Sequence, residues 1–317
     1  MHGLVVRNTG YSYTVKSDAG EVFECKVKGN FRIRGIRTTN PVAIGDKVTF
    51  VPQEVEGDIE QAKQGLITEL DDRKNYIIRK STNLSKQSHI IAANVDMCFL
   101  IVTIQQPETP LQFIDRFLAS AEAYSVPVTL IFNKIDIIDE EWKDYLDGVV
   151  NLYETVGYPC RCISAATGEG VEDLREELKG KITLLSGNSG VGKSSIINLL
   201  VPDAHVRVGD VSHTHHKGMH TTTFSELLDL PGGGTIIDTP GVKAFGTIDF
   251  ERAEVAHYFP EIFRISDGCR FNNCTHTHEP GCAVLDAVEQ GAIAHSRFVS
   301  YLSILDEDPN NKYRKPF

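Results

Sequence analysis

The 317-residue sequence has no membrane-length apolar run, no secretory leader and no excess of basic charge. The apolar run from Cys98 to Ile104 falls far below the ~20 residues that a membrane helix requires. At the N-terminus, MHGLVVRNTGYSY has no basic head followed by an apolar core, so no export signal is expected. Cysteine is sparse and odd in number, seven in all, with three crowded between Cys269 and Cys282. That usage argues against a disulfide framework and for a reduced, cytoplasmic protein with a metal site. Basic residues number 32 against 43 acids, a net charge of −11, so the chain as a whole repels a polyanion. Any nucleic-acid contact must then come from local patches. Two acid-free stretches qualify: Lys26, Lys28, Arg32, Arg34 and Arg37, and then Arg73, Lys74, Arg79, Lys80 and Lys86. Either could equally be an ordinary solvated surface. What remains is an ordinary globular composition, 41% hydrophobic and 24% charged, without repeats or low-complexity tracts. The length suits two or three domains.

The first 70 residues read as five short strands: Leu4–Val6, Tyr11–Val15, Val22–Lys28, Val48–Val51 and Gly65–Leu70. Turn signals separate them, among them Asn8-Thr9-Gly10, Asp18-Ala19-Gly20 and Gly45-Asp46. Five strands in so short a span fit an oligonucleotide-binding type of β-barrel. From Asp96 onward strands alternate with helices, the pattern of a parallel α/β sheet. Strands are expected at Met97–Thr103, Val126–Phe132, Arg161–Ile163 and Lys181–Leu185, and helices at Pro110–Tyr124, Asp139–Val156 and Val171–Leu178, with another from Lys193. After Phe250 only helices are expected, near 251–263, 283–293 and 295–305, around the cysteine cluster.

Gly187-Asn188-Ser189-Gly190-Val191-Gly192-Lys193-Ser194 fits the phosphate-loop pattern, with an apolar strand before it and Ser195 continuing into a helix. Glycines let backbone N–H groups turn in around phosphate oxygens, and the helix N-terminus adds partial positive charge. Lys193 would neutralise the β- and γ-phosphates, and Ser194 would offer a hydroxyl to Mg²⁺. Asn133-Lys134-Ile135-Asp136 ends a buried strand and, beside a phosphate loop, suits a guanine reader. The Asp136 carboxylate can accept from the ring N–H and the exocyclic amine of guanine, which adenine cannot supply. Asn133 would tie loops together, and the Lys134 stem could cover the base. Ser164-Ala165-Ala166 suits a companion loop whose backbone meets the guanine oxygen.

Two carboxylates compete for the metal side of the phosphates. Asp229-Leu230-Pro231-Gly232 runs into further glycines between apolar strands and reads as a hairpin turn. Asp238-Thr239-Pro240-Gly241 follows Thr235-Ile236-Ile237 and should leave the end of a core strand. Asp238 is therefore the expected Mg²⁺ ligand, with the Gly241 N–H on the γ-phosphate. Within Thr221-Thr222-Thr223, Thr222 is taken as the threonine that reaches Mg²⁺ when γ-phosphate is present.

In an ordinary GTPase the phosphate loop comes first and the base-reading motifs last. Here residues 133–136 and 164–166 precede 187–194, the threonines and Asp238. With this order the chain resembles the ribosome small-subunit-dependent GTPases, a family of circularly permuted GTPases. The resemblance covers nearly the whole chain. It implies a barrel at 1–70, a permuted GTPase domain at 71–248 and a helical zinc-binding domain at 249–317. It further implies GTP hydrolysis stimulated by the small ribosomal subunit, contact with its rRNA, and a role late in that subunit's maturation. A monomer that does not bind membranes is expected. The alternative is a GTP-responsive RNA-binding switch in which hydrolysis is incidental. An ATP-using kinase is disfavoured by Asn133–Asp136.

Cys269, Cys274 and Cys282 with one histidine, His276 or His278, can close a tetrahedral Zn²⁺ site, structural rather than catalytic. The family resemblance favours His276. His205, His213, His215, His216 and His220 precede the threonines and read as a polar switch loop. Ras-like GTPases place a water-orienting glutamine after the D-x-x-G glycine, whereas this chain has Val242 there. His220 is the candidate replacement within the chain, and the alternative is that an rRNA group or Mg²⁺ geometry orients the water.

Overall fold

The computed structural model describes residues 1–27, 41–53, 63–80, 88–204, 226–238 and 250–307. Five strands build the N-terminal barrel: β1 (His2–Asn8), β2 (Tyr13–Ser17), β3 (Val22–Val27), β4 (Lys47–Gln53) and β5 (Gln64–Leu70). They pair in the order β1-β2-β3-β5-β4, and β4 closes back on β1. Pairing is antiparallel except between β3 and β5. Alternation along each strand sends Val5, Val15, Phe23, Phe50 and Ile67 inward, with the Phe23 and Phe50 rings 4.9 Å apart.

A hairpin of β6 (Tyr76–Lys80) and β7 (Ser88–Ala93) follows, an element the sequence reading passed over. It locks the barrel to the rest of the chain. Ile44 bridges to Ala92, and Asn94 Nδ2 donates to the Gly45 carbonyl at 2.9 Å. Arg73 pairs with the fully buried Asp46 at 2.6 Å, so it belongs to this joint rather than to a solvent-facing basic patch. Lys74 likewise pairs with Asp96.

The central domain contains β8 (Met97–Val102), α1 (Leu111–Ala123), β9 (Val128–Phe132), α2 (Glu140–Val156), β10 (Cys160–Cys162), α3 (Val171–Leu178), β11 (Ile182–Ser186), α4 (Lys193–Leu200), β12 (Glu226–Asp229) and β13 (Thr235–Asp238). Its strand order is β10-β9-β8-β11-β13-β12, parallel throughout except for the edge strand β12. All six residues of β8 are buried because hydrophobic clusters cover both faces of the sheet. Local signals agree with the elements. Asp139 caps α2 by accepting from the Trp142 N–H, and Gly157 at φ +120° ends that helix. Residues 229–235 form the expected turn, with Leu230 and Gly234 hydrogen-bonded across it.

The barrel and the sheet are continuous. The first residues of β1 close the barrel on β4, while Arg7 at its far end pairs with Glu226 of β12. Lys16 of β2 adds an ion pair to Asp229 at 2.9 Å.

The C-terminal region holds α5 (Pro260–Ser266), α6 (Ala283–Glu289) and α7 (His295–Leu305). The single helix expected over 251–263 is broken into a 3₁₀ turn at Val255–Tyr258 and then α5. Pro260 is the reason: it disfavours helical backbone at the residue before it, and Phe259 is extended at φ −120°, ψ 92°. No described helix is long and apolar enough to cross a membrane.

A buried ionic knot fastens this region to the central domain. Arg297 of α7 donates to Asp115 of α1 at 2.9 Å and to both carboxylate oxygens of Glu261 on α5 at 2.7 and 3.1 Å. Ser300 and Tyr153 complete the shell of Asp115 at 2.6 and 2.9 Å, and the guanidinium lies 4.7 Å from the Phe259 ring centre. Burial opposes the charge on Arg297, but its hydrogen bonds to Glu261 and the fields of Asp115 and Glu261 more than reverse that and raise its pKa. Removing the cation strands two buried carboxylates. Arg297→Ala should therefore lower stability by about 3–5 kcal/mol, measured as an earlier urea transition of the C-terminal region. An unchanged transition would show that the knot contributes nothing.

Candidate functional site

The carboxyl ends of β8, β9, β10, β11 and β13 all lie at one end of the sheet, because these strands are parallel and in register. Ligands of open α/β sheets bind in the crevice at that end. The loops leaving β9, β10 and β11 carry residues 133–136, 164–166 and 187–192.

Steric limits shape the phosphate loop. Gly187, at φ +144°, would place a Cβ 2.3 Å from the Ile101 carbonyl oxygen. Gly192, at φ +98°, would place one 2.2 Å from Asn133 Nδ2. Only glycine fits either position. Val191 is fully buried and anchors the loop in the core. Gly192 is the N-cap of α4, which begins with Lys193, Ser194 and Ser195. The Lys193 ammonium folds back over the loop and donates to the carbonyls of Gly187 and Asn188 at 2.6 Å each. Ser189 and Gly190 form a turn within the loop, after Asn188.

Asn133 joins the three loops. It is 3% exposed, its Nδ2 donates to the Val191 carbonyl at 2.8 Å, and its Oδ1 accepts from the Ala165 N–H at 3.0 Å. Asp136 stands exposed in a short 3₁₀ turn and accepts from the hydroxyl of the buried Ser164 at 2.5 Å. The Thr167 N–H donates in turn to Ser164 Oγ at 3.1 Å, which fixes the hydroxyl's direction. Sequence reasoning expected the Ser164 loop to act through its backbone; nothing in the sequence announces this side-chain contact. Lys134 is left-handed at φ +68° and donates to the Gln106 carbonyl, which places its stem along this loop. Partial burial lowers the pKa of its ammonium, with Asp136 opposing.

β13 lies beside β11 with Asp238 opposite Leu185, so Asp238 ends its strand next to the strand that feeds the phosphate loop. The Asp238 side chain, Thr222, His220 and Gly241 lie outside the described residues, as do Lys28, Arg32, Arg34 and Arg37 of the basic patch. Lys26 is described and exposed.

The second cluster lies in the C-terminal region. Ligand atoms of Cys269, Cys274, His276 and Cys282 all fall within 4.8 Å of one another. Cys269 and Cys282 sulfurs are 3.9 Å apart, and His276 Nδ1 is 3.6 and 3.4 Å from them. Tetrahedral Zn–S bonds of ~2.3 Å separate sulfurs by ~3.8 Å and sulfur from nitrogen by ~3.6 Å, so the cluster has the dimensions of a zinc cage. Position separates the two histidines. His276 is 2% exposed and faces the sulfurs, whereas His278 is exposed and its Nδ1 meets Thr277 Oγ1 at 2.8 Å. Burial lowers the His276 pKa, with Glu279 opposing, which favours the neutral imidazole that a metal needs. Burial pushes the metal-free Cys274 thiol up to about 12, so a cation taking that sulfur must displace a proton. Glu279 braces the loop by accepting from the N–H groups of Thr275, Thr277 and His278 at 2.8, 2.9 and 3.1 Å. Burial works against the Glu279 charge, but these bonds and the Thr275 hydroxyl hold the carboxyl well below its usual range.

Fold and site together define a phosphate-loop α/β protein with permuted strand order, set between a β-barrel and a Cys₃His module. The family model for the RsgA GTPase matches residues 70–248, and that for the RsgA N-terminal domain matches residues 2–67. The chain belongs to the RsgA GTPase family. The small ribosomal subunit biogenesis GTPase RsgA of Bacteroides fragilis strain YCH46 is 58% identical over the full length of both chains. A relative named RsgA 2 from Bacteroides thetaiotaomicron is 56% identical, again over both full lengths. Among solved structures, YjeQ from Thermotoga maritima superposes with a TM-score of 0.76 at 35% identity, covering 96% of each chain. YloQ, described as a circularly permuted GTPase, gives 0.73 at 27% identity over 99% of this chain and 96% of its own.

Two measurements follow from this geometry. Asp136→Asn should weaken GTP binding and favour xanthine nucleotides, whose ring donates and accepts differently; nucleotide titration reads it out, and equal binding of ATP and GTP by the parent would refute the assignment. Cys274→Ala should release zinc and unfold the C-terminal module while sparing nucleotide binding, and elemental analysis finding no zinc in the reduced parent would refute the cage.

Proposed function

We propose that this chain is a Mg²⁺-dependent GTPase that hydrolyses GTP to GDP and phosphate during late maturation of the small ribosomal subunit. One observation carries the enzymatic part: Asn133 joins the base-reading loops to the phosphate loop at one end of the sheet. The names of the full-length relatives supply the ribosomal part. We divide the chain into a barrel at 1–70, a GTPase domain at 71–248 and a zinc-binding domain at 249–317. As a monomer in the cytoplasm, it meets the small subunit and its rRNA through the two flanking domains.

The roles follow from chemistry. Asp136 selects guanine, aimed by Ser164, while Asn133 and Ala165 hold the base loops and the Lys134 stem covers the ring. Backbone N–H groups from Gly187 to Ser195 cradle the phosphates, and Lys193 leaves the loop carbonyls to neutralise charge building on the β/γ oxygens. Ser194, Thr222 and Asp238 hold Mg²⁺, which neutralises phosphate charge when bound, and the Gly241 N–H senses the γ-phosphate. Cys269, Cys274, His276 and Cys282 hold one structural Zn²⁺.

Val242, where Ras-like enzymes have glutamine, can neither donate nor accept a hydrogen bond to the attacking water. Isolated turnover should therefore be slow and rise sharply when small subunits are added. His220→Ala should abolish that rise while GTP affinity and subunit binding persist. Full stimulation of His220→Ala would assign the water to an rRNA group, and subunit binding without stimulation of the parent would favour a switch with incidental hydrolysis.

A further inference from the structure

A groove of about 690 Å³ opens in the C-terminal region between α5 and the cysteine loop. Cys269, Cys274 and His276 of the zinc cage line part of its wall, and no residue of the nucleotide site does. Its outer wall is the four-residue segment from Arg270 to Asn273, whose two ends are pinned by Cys269 and Cys274. Phe271 stands 41% exposed on that segment, and Phe263 of α5 stands 48% exposed at the groove's other side. Neither phenylalanine belongs to the hydrophobic core of this region, so folding does not account for them. Both rings are nonetheless braced. His257 meets Phe263 edge-on at 5.0 Å, and the Arg270 guanidinium lies 5.5 Å from the Phe271 ring centre.

Part of the polar lining is unspent. Asn272, Asn273 and Arg252 line the groove, and among the described residues their side chains have no hydrogen-bond partner. Asp267 adds one acceptor. Two aromatic faces, two donor–acceptor amides, a carboxylate and two flanking cations match one chemistry closely: a flat heteroaromatic ring with a hydrogen-bonding edge, joined to a phosphate. An aliphatic protein side chain would use the rings but leave the amides and the carboxylate unpaired.

We propose that this groove holds an unstacked nucleotide from a single-stranded RNA segment. The base stacks on Phe271 or Phe263, the Asn272 and Asn273 amides meet its edge, and Arg252 or Arg270 meets the adjoining phosphate. Asp267 can accept from a ring N–H or an exocyclic amine and so excludes no base by itself; adenine is preferred over uracil because its larger ring stacks more strongly on phenylalanine. The proposal rests on the ribosomal reading for its source of RNA, not for its geometry.

The sequence contains one tryptophan, Trp142, so a local reporter can be installed in the full-length, zinc-loaded chain. In Trp142→Phe, Phe271→Trp, the introduced indole should be quenched by oligoadenylate, less strongly by oligouridylate, and not by duplex RNA. In the parent background, Phe271→Ala should weaken small-subunit binding about tenfold, within the usual range for a stacked base, with zinc content and basal GTP turnover unchanged. No quenching by any single strand, or equal quenching by duplex, overturns the proposal. Loss of subunit binding in Phe271→Ala without quenching by RNA assigns the groove to a protein side chain and overturns it too. A parent that fails to bind subunits while the indole is still quenched refutes the ribosomal reading and leaves the groove's ligand standing.

Discussion

One buried amide holds the nucleotide site together. The loops after β9, β10 and β11 are far apart in sequence, and Asn133 bonds the first to each of the other two. Because Asn133 is buried, a lost partner would leave a desolvated polar group, which costs more than the bond itself contributes. Its neighbours are built around it. Gly192 has no Cβ because the Asn133 amide fills that space, and Val191 is sunk into the core with its carbonyl turned to the same amide. The base-reading and phosphate-binding halves are thus one rigid object, even though the permutation exchanges their order along the chain.

Permutation changes what the sheet is wired to. The phosphate-side strand β13 ends at Asp238, and only residues 239–249 separate it in sequence from the C-terminal Cys₃His region. Its partner β12 is the edge strand, and that edge is occupied by β1 of the barrel. On the opposite side, α1 leads into the Arg297 knot and so to α5 and α7. Both flanking domains therefore touch the nucleotide domain through elements that start or end beside the site.

Much of this was legible in the sequence because it depends on local rules. Fixed glycines, the strand before them and the helix after them announce the phosphate loop. Metal-ligand spacing announces the cage, although choosing His276 over His278 needed either the family or the fold. The β6–β7 hairpin escaped notice because its strands lie within an acid-free, basic run that reads as surface. Arg73 was misjudged in the same way, since its partner Asp46 is remote in sequence and brought near only by barrel closure. The Ser164–Asp136 contact and the Arg297 knot were invisible for the same reason: each joins separate elements, and no spacing rule encodes such pairs.

In the proposed function, the state of the γ-phosphate is transmitted to domains that grip the small subunit. The most direct measurement is the affinity of the full chain for purified small subunits, once with a non-hydrolysable GTP analogue and once with GDP, at one fixed salt concentration. Tighter binding with the analogue is the expected result, since only residues 239–249 separate β13 from the C-terminal region in sequence and its partner β12 pairs with β1 of the barrel. Equal affinity in the two nucleotide states would contradict the claim, leaving a GTPase whose site and flanking domains share a fold without sharing information.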